Sequence, residues 1–121
     1  MNEKISNSTL ANILVKIFKK YKISNICISP GSRNAPLIKE FSLEKKFKLY
    51  SQIDERTSGF FGLGISKNIN NPSVIVTTSG TAVANLLPSV IEADLSMTPL
   101  IVLTADRPRK LVNTGENQTI L

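Results

Sequence analysis

Four short segments of the 121-residue sequence gather hydroxyl, carboxyl and guanidinium side chains, three of them beside glycine or proline. They are Ser29-Pro-Gly-Ser-Arg-Asn34, Asp54-Glu-Arg56, Thr77-Thr-Ser-Gly-Thr81 and Ala105-Asp-Arg-Pro108. Histidine is absent, so no imidazole acts as base, relay or metal ligand. Proton handling in these segments falls to Asp54, Glu55 and Asp106. A carboxyl group serves as an acid near neutral pH only where burial raises its pKa. Glu55 follows an apolar stretch and precedes a Phe-rich one, so burial is expected there. Arg33, Arg56 and Arg107 each stand beside a loop or helix start, where a planar fork suits carboxylate or phosphate recognition. The Thr78-Ser79-Gly80-Thr81 run can cradle an anion with backbone N–H groups at a helix start. It is neither a P-loop, which needs a following Gly-Lys-Ser/Thr, nor the five-residue nucleophile elbow of hydrolases.

Each segment also has a plain structural reading. Glycine and serine after a strand turn the chain. Glu55 suits the positive end of a helix dipole. Arg107 can pair with Asp106 or Asp54 in a surface salt bridge of little energy.

Composition narrows the classes. Hydrophobic residues make up 41% and charged residues 20%, as in an ordinary globular domain. The single Cys27 excludes an internal disulfide and any cysteine-cluster zinc site. No apolar run approaches the ~18 residues of a membrane span, and the polar start lacks the order of a secretory signal. A soluble, cytoplasmic domain is expected. The net charge of +6 comes from fifteen basic and nine acidic residues. Lys16, Lys19, Lys20 and Lys22 gather at the end of a predicted helix, and Lys45, Lys46 and Lys48 flank a predicted strand. These read as solvated faces, and no nucleic-acid motif accompanies them. Small anionic ligands fit the arginines better than a polyanion does.

The segments need elements to position them. Asn7 or Ser8 can cap a first helix whose apolar stripe is Leu10, Ile13, Leu14, Ile17 and Phe18. Strands are predicted at 26–29, 48–53, 73–77 and 100–104, with helices near 36–44 and from Asp54 to about Asn70. A fourth helix is predicted from Ser79-Gly80 to near Ser96, with Leu86, Leu87, Val90 and Ile91 in the core. Pro88 lies inside it, so this helix either bends or begins later. The alternation predicts an α/β fold, an open and mainly parallel sheet with helices on both faces. In such a sheet ligands gather beyond the carboxyl ends of the strands, and all four segments fall at those ends. Spacing alone reaches a small-molecule site with one acidic centre and flanking arginines.

The order of Ile28-Ser-Pro-Gly-Ser-Arg-Asn-Ala-Pro-Leu37, Asp54-Glu-Arg56, Thr78-Ser-Gly-Thr-Ala-Val-Ala-Asn85, Leu103-Thr-Ala-Asp-Arg-Pro108 and Asn117-Gln-Thr-Ile120 adds a resemblance. The chain resembles the amino-terminal, pyrimidine-binding domain of thiamine-diphosphate-dependent 2-succinyl-5-enolpyruvyl-6-hydroxy-3-cyclohexene-1-carboxylate synthases of menaquinone biosynthesis. The resemblance covers nearly the whole chain.

By that resemblance the reaction decarboxylates 2-oxoglutarate and adds the succinyl unit to isochorismate. Glu55 matches the family's glutamate, whose carboxyl hydrogen-bonds the cofactor's aminopyrimidine and favours its imino tautomer. Thr78, Ser79 and Gly80 match the loop against that ring, and Asn117 a polar position close to cofactor and substrate. Ser32, Arg33, Arg107 and Gln118 match residues near the isochorismate site. The family's diphosphate and its Mg2+ or Mn2+ belong to a further domain, so no metal ligand is expected within 1–121. The resemblance implies that these residues are one domain of a longer homo-oligomeric enzyme, a dimer or tetramer, and inactive alone. The alternative from a different class is a standalone, non-catalytic anion-binding or regulatory α/β module.

Overall fold

Short β-branched runs alternate with helices along the whole chain. The computed structural model describes residues 7–112 and 114–120, with side chains from Thr9 onward. Its elements are α1 (Asn7–Lys20), β1 (Asn25–Ile28), α2 (Ala35–Leu43), β2 (Lys48–Ser51), α3 (Glu55–Ile69), β3 (Ser73–Thr77), α4 (Thr81–Ala84), α5 (Leu87–Leu95) and β4 (Leu100–Thr104). A 3-10 turn follows at Arg109–Leu111. The strands form one parallel sheet in the order β2-β1-β3-β4. The predicted fold class is therefore present. No helix among the described residues is long and apolar enough to cross a membrane.

The chain leaves β1 in opposite directions along the sheet, first to β2 and then across to β3. Right-handed crossovers put the connecting helices of such a path on opposite faces. On one face Ile26, Ile28, Val74 and Val76 pack with Phe18, Phe41 and Phe47 from α1, α2 and the turn before β2. The rings of Phe41 and Phe47 meet edge-on with centroids 5.8 Å apart. Alternate residues of the same strands, Cys27 and Ile75, face the other side with Leu86, Ile65 and Val102. There α3 lies against the sheet and α5 lies against α3.

Two helices turn differently from the expected registers. In α1 the inward set is Ala11, Leu14, Val15 and Phe18, while Leu10, Ile13 and Ile17 are exposed. The small Ala11 takes the closest approach, which a search for large apolar residues passes over. The expected cap by Asn7 or Ser8 lies outside the described side chains. The predicted fourth helix is two helices, because Pro88 stands in the first turn of α5, where its missing N–H is tolerated. In α5 the buried residues are Ser89 and Ala93. Leu86 is buried as expected, whereas Leu87, Val90 and Ile91 are exposed. Their place against α3 is taken by small side chains because the two helices come too close for large ones.

That close approach runs along α3, whose buried residues are Ser58, Gly59, Gly62, Leu63 and Ser66. A Cβ on Gly59 would overlap Ser89 Oγ and stand 2.8 Å from Ser89 Cβ. A Cβ on Gly62 would overlap Ile75 Cδ1. Hydroxyls join the same seam. Ser73 Oγ donates to the Gly62 carbonyl at 2.7 Å, so Ser66 is the donor in its 2.7 Å bond to Ser73 Oγ. Ser66 Oγ in turn accepts the Ser73 backbone N–H at 2.8 Å. Asp54 caps the other end, accepting from Arg56 N at 2.8 Å and Thr57 N at 3.4 Å. Asn70, at φ +50, ends the helix in the left-handed conformation that a helix C-terminus favours.

Two glycines of α3 separate packing from propensity. Gly59→Ala is expected to destabilise the chain by about 1–3 kcal/mol in urea unfolding, because it overpacks against Ser89. Gly64→Ala has nothing within 4 Å of the added carbon and is expected to stabilise by about 0.5–1 kcal/mol. Equal effects of the two substitutions would contradict this seam. Cys27 supplies a pH prediction. Its burial pushes the thiol up to about 11, from an ordinary value of 9.0. Its contribution is therefore full below about pH 9 and lost as pH rises through about 11, where the unfolded chain releases a proton that the folded chain retains. The alkaline fall in urea midpoint should be shallower for Cys27→Ala, and native Cys27 should resist thiol reagents until the chain unfolds.

Candidate active site

Because all four strands are parallel, the loops after them share one rim, and the sheet changes winding direction between β1 and β3. The loop after β1 is held from within by Asn34, which is fully buried. Its Nδ2 donates to the Ser29 carbonyl and its Oδ1 accepts from Gly31 N, both at 2.9 Å. Gly31 lies against the loop after β3, since a Cβ there would stand 2.9 Å from Thr78 Cβ. The half-buried Arg33 lines a cavity of about 340 Å³ with Leu10, Leu37, Thr104 and Asp106. Ser32 is exposed and lines none of the cavities on this rim.

The loop after β3 carries buried Thr77, Thr78 and Ser79. The Thr78 and Ser79 hydroxyls, with that of Ser29, are buried without a hydrogen-bond partner. Gly80 has φ +70, and a Cβ there would overlap the Gln118 carbonyl oxygen. That carbonyl accepts the Thr81 N–H at 3.3 Å. Gln118 itself stands at φ +64, a conformation costly for a side chain of its size. Arg107 completes the assembly, its Nη2 donating to the Asn117 carbonyl at 2.6 Å. Its Nη1 is buried without a partner. Ser79, Gly80, Asp106, Arg107, Gln118 and Thr119 surround a cavity of about 190 Å³. The salt bridge from Arg107 to Asp106 or Asp54 is not formed. Asp106 Oδ1 accepts the Arg107 backbone N–H at 2.7 Å instead, and the guanidinium turns toward Asn117.

Glu55 is the first residue of α3 and lies on the other flank of the β3 loop. It is half-buried, short of the apolar enclosure expected for it, because the end of α3 opens to solvent. Its Oε2 accepts from Asn85 Nδ2 at 3.0 Å. Its neighbours hold each other. Arg56 Nη2 lies 2.6 Å from Asp54 Oδ2, and Nε donates to Oδ1 at 3.1 Å. This Arg56 guanidinium beside Asp54 holds that carboxyl down at about 2. The expectation that Arg56 recognises a ligand anion is corrected accordingly, since its fork is taken by the helix cap.

The structure thus gathers Thr78, Ser79, Gly80, Arg107, Asn117 and Gln118 into one assembly, with Arg33 joined to it through the Asp106 wall. Glu55 stands beside that assembly, and Ser32 stands outside it. Asn34 and Asn85 carry contacts that spacing alone did not single out; an asparagine just past a strand or a short helix is their only local signal. Buried hydroxyls without partners, a partly free guanidinium and one carboxyl oxygen without a partner can engage a flat polar ring and an anion. No three metal-ligating side chains gather among the described residues.

Comparison with known proteins identifies the family of the chain. Residues 8–121 match the family described as thiamine pyrophosphate enzyme, N-terminal TPP binding domain. A 2-succinyl-5-enolpyruvyl-6-hydroxy-3-cyclohexene-1-carboxylate synthase from Actinobacillus pleuropneumoniae is 48% identical over 117 residues, covering 94% of this chain and 21% of that protein. Synthases of the same name from Flavobacterium johnsoniae and Vibrio vulnificus are 48% and 42% identical, over 92% and 98% of this chain. The chain spans about a fifth of the length of these relatives. Benzoylformate decarboxylase from Polynucleobacter necessarius shares the fold, with a TM-score of 0.79 at 19% identity over 91% of this chain and 20% of that one. The chain belongs to the family of the N-terminal TPP-binding domain of thiamine pyrophosphate enzymes.

Proposed function

We propose that this chain is the pyrimidine-binding domain of a longer 2-succinyl-5-enolpyruvyl-6-hydroxy-3-cyclohexene-1-carboxylate synthase, acting in the cytoplasm in menaquinone biosynthesis. The observation that carries the reading is the convergence of Ser79, Gly80, Arg107 and Gln118 on one cavity with Glu55 beside the same loop. The identity of nearly half over most of the chain to synthases of that name supports it. The whole enzyme would use 2-oxoglutarate and isochorismate and assemble as a homo-oligomer. A further domain would hold the diphosphate with Mg2+ or Mn2+.

The residues present fit the pyrimidine half of thiamine diphosphate. The unpartnered buried hydroxyls of Thr78 and Ser79 offer donors and acceptors to a heterocycle, and Glu55 Oε1 has no hydrogen-bond partner among the described residues. When bound, the cofactor supplies an electron sink for loss of carbon dioxide from a 2-oxo acid and transfer of the remaining carbon skeleton. Glu55 holds a proton at its free oxygen toward a ring nitrogen. Thr78, Ser79 and Gly80 form the wall against the ring, and Asn117 orients cofactor and substrate. Arg33 and Arg107 hold substrate carboxylates, with Ser32 and Gln118 as polar contacts beside them. Water exclusion around Glu55 would come from the domain that covers the rim, raising the carboxyl's value as a proton donor.

In the longer protein, Glu55→Gln is expected to lower carbon dioxide release from 2-oxoglutarate by about 10²-fold or more, with an unchanged circular dichroism spectrum. Activity within a few-fold of the parent would remove Glu55 from this role. Arg107→Ala is expected to lower kcat/KM for isochorismate by roughly 10–100-fold, as for a lost hydrogen bond to a charged group, with cofactor affinity nearly unchanged. Equal loss of both would make Arg107 only the strut beneath Asn117.

A further inference from the structure

The hydrogen bond between Asn85 and Glu55 links two elements thirty residues apart. Among the described residues it is the one hydrogen bond of the Asn85 side chain, whose backbone is fixed independently. The Asn85 N–H donates to the Thr81 carbonyl at 3.0 Å, and the next residue, Leu86, is buried against Cys27 and Ile75. Preceding it, α4 hangs from Gly80 and the Gln118 carbonyl. The amide therefore reaches Glu55 from the end of α4, the short helix that follows the loop walling the candidate cavity, on a backbone that needs nothing from its side chain.

A glutamate carboxyl rotates through a broad, roughly two-fold torsion, so its oxygens are interchangeable until something distinguishes them. The Asn85 Nδ2 group only donates and exchanges no proton near neutral pH. Bonded to Oε2, it selects that oxygen as acceptor and leaves Oε1 to carry the proton. We propose that Asn85 is a positioning residue for Glu55. Its amide fixes Oε2 at 3.0 Å and so makes Oε1 the oxygen that exchanges a proton with the bound ring. The proposal rests on the reading of Glu55 given above. Ordering the carboxyl in advance removes a rotational choice that would otherwise be made at each turnover.

The test has one arm without cofactor and one with it. In the isotopically labelled chain, the Asn85 side-chain amide resonances should shift in Glu55→Ala; unchanged resonances overturn the proposal. In the longer protein, Asn85→Ala should lower kcat for carbon dioxide release by about tenfold, the size of one lost hydrogen bond to a charged group, with KM for 2-oxoglutarate within about twofold. Asn85→Asp keeps the shape, cannot donate when ionised, and should lose at least as much; activity equal to the parent there overturns the proposal. In a Glu55→Gln background, removing the Asn85 amide should cost nothing further, because both changes act on one group. A full additional tenfold loss means that Asn85 acts independently of Glu55 and also overturns it. Failure of Glu55→Gln itself to lower activity refutes the catalytic reading, while the amide resonances still report whether the contact exists.

Discussion

The closeness of α3 to its neighbours is the constraint on which the site depends. Gly59 and Gly62 bring the helix backbone down onto Ser89 and Ile75, and Ser66 and Ser73 lock its far end to the start of β3. Glu55 is the first residue of that helix, so the height of α3 above the sheet sets the height of its carboxyl. With the helix pushed outward by even one methyl group, the 3.0 Å reach to Asn85 would be lost. The Asp54–Arg56 pair does the complementary job of starting the helix at Glu55 and not a residue later. A surface ion pair of this kind adds little to stability. Here its value is positional.

On the other flank, a glycine at positive φ and a strained glutamine support each other. Gly80 and Gln118 both have positive φ, and each permits the other's backbone to come close enough for the Thr81 N–H to reach the Gln118 carbonyl. Arg107 steadies the same segment through Asn117 while keeping one guanidinium nitrogen buried and unused. The strain and most of the unpaired groups lie together at the rim; in the interior, served by the ladders of the sheet and the serine seam, the Ser58 hydroxyl also lacks a partner. Uncompensated polarity of this sort is what a bound polar group would relieve.

The fold was legible because three of its strands, β1, β3 and β4, are short, largely apolar runs and its loops carry proline, glycine and capping residues. Asp54, Asn70 and Pro88 mark true boundaries. The registers of α1 and α5 were not legible, for one physical reason. Both helices bury small side chains where elements approach closely, so periodicity read from large residues is only partly right: Leu14, Phe18 and Leu86 face inward, while Leu10, Ile13, Ile17, Leu87, Val90 and Ile91 are exposed. The rim was legible as a convergence of segments, and the roles proposed for Glu55, Thr78 and Gln118 come from the family resemblance. Arg56 misled because a guanidinium near a helix start can serve the cap as well as a ligand. Asn85 stayed hidden because a single amide contact across thirty residues leaves no local pattern, and Asn34 because its bonds to Ser29 and Gly31 serve only its own loop.

The distribution of lysine carries a consequence for encounter rates. Lys16, Lys19, Lys20, Lys22, Lys45, Lys46 and Lys48 all sit where β1 and β2 begin, at the opposite end of the sheet from the rim. At the rim, Arg33, Arg56, Arg107, Arg109 and Lys110 are nearly offset by Asp54, Glu55, Asp106 and Glu116. The long-range field of the chain thus draws anions toward the wrong pole, while the rim is nearly neutral beyond a Debye length of about 8 Å at physiological salt. Capture of an anionic ligand then depends on short-range contacts with individual guanidinium groups, not on steering. Diffusional arrival of an anion at the rim of this chain should therefore depend only weakly on salt, despite the net charge of +6.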